Sequence, residues 1–146
     1  LGAGGAARAV VAALLDSGVT ELRIANRTRL RAEQIRAEFG PRVVVHDWAG
    51  AGAMLEGAIT VVNATSMGMV GKPPLQVPLD ALAPGTLVTD LVYTPLVTPL
   101  LAEAQARGCE VVDGLGMLLH QAAPGFERWF GIRPEVDEDL RAAVLA

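Results

Sequence analysis

Two short stretches near the start of the sequence have residue types suited to holding phosphate. Gly2-Ala3-Gly4-Gly5-Ala6-Ala7 matches G-x-G-x-x-A and runs directly into an apolar helical segment. In a strand–turn–helix unit, Gly2 permits the tight turn and Gly4 lets a pyrophosphate approach the backbone. Ala7 stands where a third glycine would, and still allows close helix–strand packing. The amides around Ala3, Gly5 and Ala6 that open the helix then face the phosphates. Taken alone, the same pattern also serves as a plain structural turn. Its place ahead of an amphipathic helix and an α/β alternation favours the nucleotide.

The second stretch selects among nucleotides. A domain that binds NAD usually places Asp or Glu about 20 residues after the glycine motif, to accept the ribose hydroxyls. Here the corresponding segment is Ala25-Asn26-Arg27-Thr28-Arg29-Leu30-Arg31, which contains no carboxylate. Arginine offers a fork of donors to a phosphate group. Arg27 is expected over the adenine and 2′-phosphate, Thr28 as helix cap and phosphate donor, and Arg31 one turn further on a compatible face. Arg29 points in a different direction. A solvated basic helix start is the alternative reading. With the glycine turn in place, the segment points to NADP.

Other chemistry has little support. Cys109 is the single cysteine, so there is neither an intrachain disulfide nor a CxxC pair. It reads as a packed residue at a helix–strand junction. His46 and His120 have no carboxylate neighbours at metal-ligand spacing, and no metal site is expected. Lys72 is the sole lysine among 12 basic residues and sits in a Gly71-Lys72-Pro73 turn, which suits a solvated loop better than an acid–base role.

These residues need a scaffold that brings loops to one edge of a sheet. Short β-branched runs alternate with alanine-rich helical runs, which argues for an α/β layer fold with a doubly wound, mostly parallel sheet. Helices are expected over residues 6–16, 28–39, 99–107, 114–130 and 137–146, with the fourth interrupted or bent near Pro124-Gly125. Strands are expected over 22–25, 43–45, 59–63, 87–92 and 110–112, a weak short helix near 51–55, and loop over most of 66–84. Leu30, Ile35 and Phe39 are the expected inward contacts of the second helix. A glycine turn of this kind follows a strand, so Leu1 is expected to end a truncated first strand, with further residues upstream.

Composition agrees with a folded domain. Hydrophobic residues make up 51% and charged residues 19% of 146, unlike a disordered chain. The net charge of -4 gives no support to a general nucleic-acid binder. The apolar stretches are too short to cross a bilayer as a helix, and a reducing, cytoplasmic setting is expected.

The ordered set of motifs resembles the nucleotide-binding domain of the shikimate dehydrogenase family. The resemblance is carried by Gly2 to Arg8, Asn26-Arg27-Thr28 and Asn63-Ala-Thr-Ser-Met-Gly-Met69. It continues through Asp90-Leu-Val-Tyr93 with Pro95, Thr98 to Leu101, Asp113 to Leu118, Gln121, Phe126, Trp129 and Gly131. It implies a Rossmann-like fold and NADPH-dependent, reversible reduction of 3-dehydroshikimate to shikimate. By the same resemblance, Asn63, Thr65, Ser66 and Met67 line the dinucleotide cleft. Val92, Gly114 and Met117 hold the nicotinamide, and Tyr93 and Gln121 reach the polyol. Read without it, Thr65 and Ser66 also suit a self-satisfied loop, the methionines core filling, Tyr93 an ordinary partly buried aromatic and Gln121 a solvent-facing helix position. The family's lysine–aspartate pair belongs to a preceding substrate domain, so no catalytic residue is assigned here and the chain alone is expected to be inactive. Residues 1–131 are expected to form the NADP-binding domain, and 132–146 a helical extension packing back on the substrate domain. A quinate/shikimate dehydrogenase and a nonenzymatic NADP-binding module are the competing readings. Oligomeric state is not legible.

Overall fold

The computed structural model describes residues 1–146. In chain order it forms α1 (Gly5–Asp16), β1 (Leu22–Ala25), α2 (Arg29–Phe39), β2 (Val43–His46), two single 3₁₀ turns (Trp48–Gly50 and Ala53–Leu55) and β3 (Thr60–Asn63). It continues through β4 (Leu87–Asp90), α3 (Pro99–Ala106), β5 (Glu110–Val112), α4 (Leu115–Phe130) and α5 (Glu138–Leu145). All strand pairs are parallel: β1 with β2, β3 with β4, and β4 with β5. The fold is therefore the expected α/β class. Parallel pairing follows from long crossovers that return the chain to the same sheet edge: α2 joins β1 to β2, α3 joins β4 to β5, and the irregular segment 64–86 joins β3 to β4.

The side chains of β1 alternate between two cores, as a strand covered on both faces requires. Ile24 joins Val11, Leu15, Ala32, Ile35 and Val43 in the core under α1 and α2. Ala25 joins the other core, with Leu55, Val61, Leu79, Val88 and Leu101. Ile35 and Leu101 are essentially fully buried, and truncating either to alanine costs about 2–5 kcal/mol by the usual cavity penalty.

Between β1 and β3 lies a slot of about 570 Å3, lined by apolar side chains that include Val11, Ile24 and Val61. Backbone hydrogen bonds of Leu1 and Gly2 join the two sheets at the slot's end. There Gly2 donates its amide to the Ala25 carbonyl at 2.8 Å, and the Leu1 carbonyl accepts from Ala64 at 2.8 Å. The Leu1 nitrogen donates to the Val62 carbonyl at 2.8 Å. Leu1 and Gly2 thus stand at a strand position between β1 and β3, where the sequence places the end of a strand.

Several local expectations are corrected. The weak short helix expected near 51–55 is a single 3₁₀ turn over Ala53–Leu55, and the strand from Leu87 stops at Asp90. Leu30 is 67% exposed, so it is no inward contact; Ala32 and Ile35 carry the buried stripe of α2. Thr28 occupies the cap position of α2 without a side-chain cap bond. Pro124 does not interrupt α4, which runs through it from Leu115 to Phe130 with one ladder donor missing. No helix is long and apolar enough to cross a membrane.

Candidate nucleotide-binding site

Parallel strands put every strand-to-helix loop at one edge of the sheet. The loops after Gly2, Ala25, Asn63, Asp90 and Val112 therefore converge there, at the carboxyl ends of the strands, where open α/β sheets bind ligands.

The glycine turn is built for close approach. Gly2 has φ +101°, and a Cβ added to it would lie 3.0 Å from the backbone of Ala64 and from Thr65 Cγ2. Only glycine fits both the conformation and the space. Gly4 and Gly5 differ: an added Cβ at either meets no protein atom within 4 Å. Gly2 and Ala3 are buried while Gly4, Gly5 and Ala6 are exposed. Gly4 caps α1 without a side-chain bond, and the first turn carries no acidic residue. The positive end of the helix is thus left uncompensated and open.

Beside it, the Asn26 amide donates to the Thr28 carbonyl at 2.9 Å and folds the start of α2. Arg27, Thr28 and Arg31 are exposed. The structure separates the three arginines clearly. Arg29 is bound to Asp47 at 2.6 Å and to Glu33 at 2.9 Å, and these bonds raise its pKa. Arg27 and Arg31 make no ion pair. The positive charge free to meet a phosphate is therefore that of Arg27 and Arg31.

The other end of the crevice is organised by buried hydrogen bonds. Asn63 Oδ1 accepts from the Thr65 amide at 3.1 Å and from Thr65 Oγ1 at 2.7 Å. Thr65 Oγ1 accepts from the Met67 amide at 3.1 Å. The loop from Asn63 to Met67 thus satisfies its own polar groups at the carboxyl end of β3. Ser66 is exposed while Met67 is buried. Val92 is buried and Tyr93 half exposed. Gly114 is buried, Met117 half-buried and Gln121 exposed one helical turn beyond it on α4.

Two polar groups outside the sequence-based set hold this end together. Asp90 Oδ1 accepts from Asn63 Nδ2 at 2.9 Å and from the Val92 amide at 3.0 Å, and Asp90 Oδ2 accepts from Thr98 Oγ1 at 2.7 Å. Burial raises the Asp90 pKa; its three donors pull the other way. Asp113 Oδ1 accepts from the Leu115 amide at the start of α4 at 3.0 Å, and the carboxylate also accepts from both terminal nitrogens of Arg141, at 3.2 and 2.5 Å. A sequence signal for Asp90 exists: it is an acid inside the apolar run Leu87-Val-Thr-Asp-Leu-Val92, which demands local donors if buried. Asp47 as the partner that withdraws Arg29 carried no such signal.

Family descriptions match the chain in two segments: "Shikimate / quinate 5-dehydrogenase" over residues 1–70, and "Shikimate 5'-dehydrogenase C-terminal domain" over residues 114–144. The chain is 86% identical over 146 residues to the shikimate dehydrogenase (NADP(+)) of Paracoccus denitrificans, matching 100% of this chain and 52% of that protein. Among solved structures, it superposes on quinate dehydrogenase from Corynebacterium glutamicum in complex with NAD, with a TM-score of 0.86 and 37% identity. That match covers 99% of this chain and 52% of the other. A second match is shikimate 5-dehydrogenase from Thermus thermophilus in complex with NADP(H) and shikimate, with a TM-score of 0.76 and 40% identity, covering 92% of this chain and 49% of the other. The chain spans about half the length of the curated relatives it matches.

Proposed function

This chain belongs to the shikimate dehydrogenase family, and from that premise we propose that it is the NADP-binding part of an enzyme interconverting shikimate and 3-dehydroshikimate. The observation that carries the cofactor reading is the pair Arg27 and Arg31, exposed and without carboxylate partners beside an open glycine turn. A 2′-phosphate needs such donors, whereas a free ribose pair would need an acid that Asn26 and Arg27 do not provide.

The residues fit the cofactor in three groups. The amides of the turn Gly2–Ala6 would hold the pyrophosphate, with Gly4 and Gly5 leaving room for it. Asn26, Arg27, Thr28 and Arg31 would hold the adenosine and its phosphate. Asn63, Thr65, Ser66, Met67, Val92, Gly114 and Met117 would line the central ribose and the nicotinamide end. Bound NADP(H) supplies the hydride acceptor and donor. Tyr93 and Gln121 would orient the polyol, since a phenol and an amide can bridge hydroxyl groups. Oxidation of the carbinol also releases a proton from its hydroxyl, and a positioned base must take it. This chain offers no candidate for that role: Asp90 is fully buried, and Lys72 is exposed in the loop beyond Met69. That base is therefore assigned to the substrate domain, as the resemblance implies.

The exposed apolar groups Phe126, Trp129, Phe130 and Ile132 support a docking role for the end of α4. We assign residues 132–146 to an extension that returns to the substrate domain, with residues 1–131 as the NADP domain proper. We place the protein in the cytoplasm, where its buried, unpaired Cys109 stays reduced. Quinate is the rival substrate, favoured by the likeness to a quinate dehydrogenase. The test is shikimate- and quinate-dependent reduction of NADP+ and NAD+ by the complete protein, alongside this chain by itself. Turnover is expected with shikimate and NADP+, from the complete protein and not from this chain. Robust turnover by this chain alone, or a preference for NAD+, overturns the reading.

A further inference from the structure

The nicotinamide end of the crevice is made from segments that lie far apart in sequence: the loop from Asn63 to Met67, the Leu91–Tyr93 segment, and the start of α4 at Gly114. Hydride transfer demands that such a wall be held to a fraction of an ångström, because a shift of about 1 Å can cost about 100-fold in rate. We propose that Asp90 is the positioning residue of this wall, its carboxylate joining the Asn63–Met67 loop, the Val92 segment and the start of α3 into one unit. The proposal rests on the functional reading above.

The geometry carries it. Three donors converge on one carboxylate, and each comes from a different segment. Asn63 Nδ2 comes from the end of β3, the Val92 amide from the loop after β4, and Thr98 Oγ1 from the cap of α3. The first bond is passed on along the wall. Asn63 also donates to the Met67 carbonyl at 3.3 Å, and its Oδ1 holds Thr65, whose hydroxyl in turn accepts from the Met67 amide. The second bond fixes Val92, whose carbonyl faces Gly114 so closely that no Cβ fits between them. Thr98, the third donor, also accepts from the Leu101 amide and so anchors α3 to the unit. Met67, Val92 and Gly114 are thereby set relative to one another through Asp90.

A structural acid needs a reason to be there. Asp90, Asn63 and Thr98 are each fully buried, and no cation bonds to the carboxylate. An isolated buried charge is costly, and an apolar residue of similar size at such a site is often neutral or stabilising. A single acceptor group that takes donors from three directions is what the position gains instead. Because Asp90 is sealed from the crevice, it cannot exchange a proton with substrate; it acts through Asn63 and Val92.

The test compares Asp90→Asn, Thr98→Val and Thr98→Ser with wild type in the complete protein. Three quantities are read: the Kd of adenosine 2′,5′-bisphosphate, kcat with NADP+, and the primary isotope effect with shikimate deuterated at the carbon that loses hydride. The adenosine probe reports the far end of the crevice and should bind all four proteins within about twofold, since one well-made contact is worth about tenfold. Asp90→Asn should lower kcat by about 10- to 100-fold and raise the isotope effect, as misplacement makes hydride transfer the slow step. Thr98→Val should lower kcat several-fold, and Thr98→Ser, which restores the hydroxyl, should recover it. Wild-type kcat and isotope effect in both Asp90→Asn and Thr98→Val overturn the proposal, as does a loss that falls equally on the adenosine probe. If Asp90→Asn does not fold, the Thr98→Val and Thr98→Ser pair decides by the same criteria. A wild-type protein that binds the probe yet shows no NADP-linked shikimate oxidation overturns the functional reading, and this proposal with it.

Discussion

Gly114 lies against the carbonyl of Val92: a Cβ placed on Gly114 would stand 2.6 Å from that oxygen and 2.7 Å from the Leu91 carbonyl oxygen. Gly114 does not have a positive φ; it caps α4 in an ordinary helical conformation. Its side chain is excluded by space alone. The start of α4 and the loop after β4 are therefore in backbone contact at the wall assigned to the nicotinamide.

Gly114→Ala should accordingly damage both fold and function. The added methyl group meets backbone, which cannot rotate away as a side chain can. Overpacking of this kind costs about 1–3 kcal/mol, so the melting temperature of the complete protein should fall by several degrees. kcat should fall more than the loss of folded protein explains, because the α4 start must move away from Val92. Unchanged melting with unchanged kcat would show that the contact relaxes freely.

Gly4→Ala is the converse case. The added methyl meets no protein atom within 4 Å, and φ at Gly4 is -95°, which alanine accepts. Stability should change by less than about 1 kcal/mol, the scale of a cap substitution. Binding of NADP+ should weaken by tenfold or more, a penalty of about 1.4 kcal/mol, because the methyl group enters the space the pyrophosphate needs. Calorimetric titration beside a thermal melt separates the two effects. A variant that melts normally and binds NADP+ normally would remove Gly4 from the phosphate site.

The three arginines at the start of α2 should behave differently. Arg27 is unpaired, while Arg29 is already bound to Asp47 and Glu33. A charge-assisted hydrogen bond contributes about 1.5–3 kcal/mol, so Arg27→Ala should weaken NADPH binding by about 10- to 100-fold and NADH far less. Arg31→Ala should act in the same direction. Arg29→Ala should leave the ratio of NADPH to NADH affinity near wild type. Equal losses of both cofactors in Arg27→Ala would detach it from the 2′-phosphate.

Much of this architecture is legible in the sequence. The parallel sheet followed from β-branched runs alternating with helical ones, and the glycine turn sits where its spacing put it. The missing acid after β1 was equally plain. What the sequence hid were properties set by three-dimensional neighbours. Leu30 looks like an inward residue by periodicity, yet Ala32 and Ile35 define the buried stripe of α2. Asp47 lies 18 positions from Arg29, and only the turn after β2 brings it within bonding distance. Asp90 stands in the Asp90-Leu-Val-Tyr93 motif, but its donors Asn63 and Thr98 come from separate segments, and no local pattern announces them.

The α5 helix offers a local test of another such contact. It has no buried residue, and its bidentate bond from Arg141 reaches Asp113, which also accepts from the Leu115 amide at the start of α4. Both side chains are only about a quarter exposed, so salt screens the pair less than a fully exposed one. Arg141→Ala should release α5 and accelerate hydrogen exchange at residues 138–145, with a small change in global melting. Exchange rates there that match wild type would show that α5 is held by something other than this bond.

Asp90 makes a prediction in which stability and activity move in opposite directions. Its carboxyl is held above the ordinary value of 3.8, first because burial disfavours the ionised form, with the Val92, Thr98 and Asn63 donors opposing the shift only in part. A group whose pKa is higher in the folded chain than in the unfolded one favours folding fully at pH below its unfolded value. That contribution disappears as pH rises through the folded value. At neutral pH the ionised Asp90 therefore costs stability that a neutral group does not. Asparagine is nearly isosteric and keeps the oxygen that accepts from Asn63 and Val92. Asp90→Asn should then melt at or above the wild-type temperature at pH 7, and this advantage should shrink as the pH is lowered towards 3.8. Other carboxylates titrate alike in both proteins and cancel in the difference. The same substitution is expected to lower kcat, because the second oxygen no longer accepts from Thr98. A variant less stable than wild type at pH 7, with no trend in the difference as pH falls, would mean that the donors outweigh burial and that Asp90 is retained for stability rather than for holding the wall.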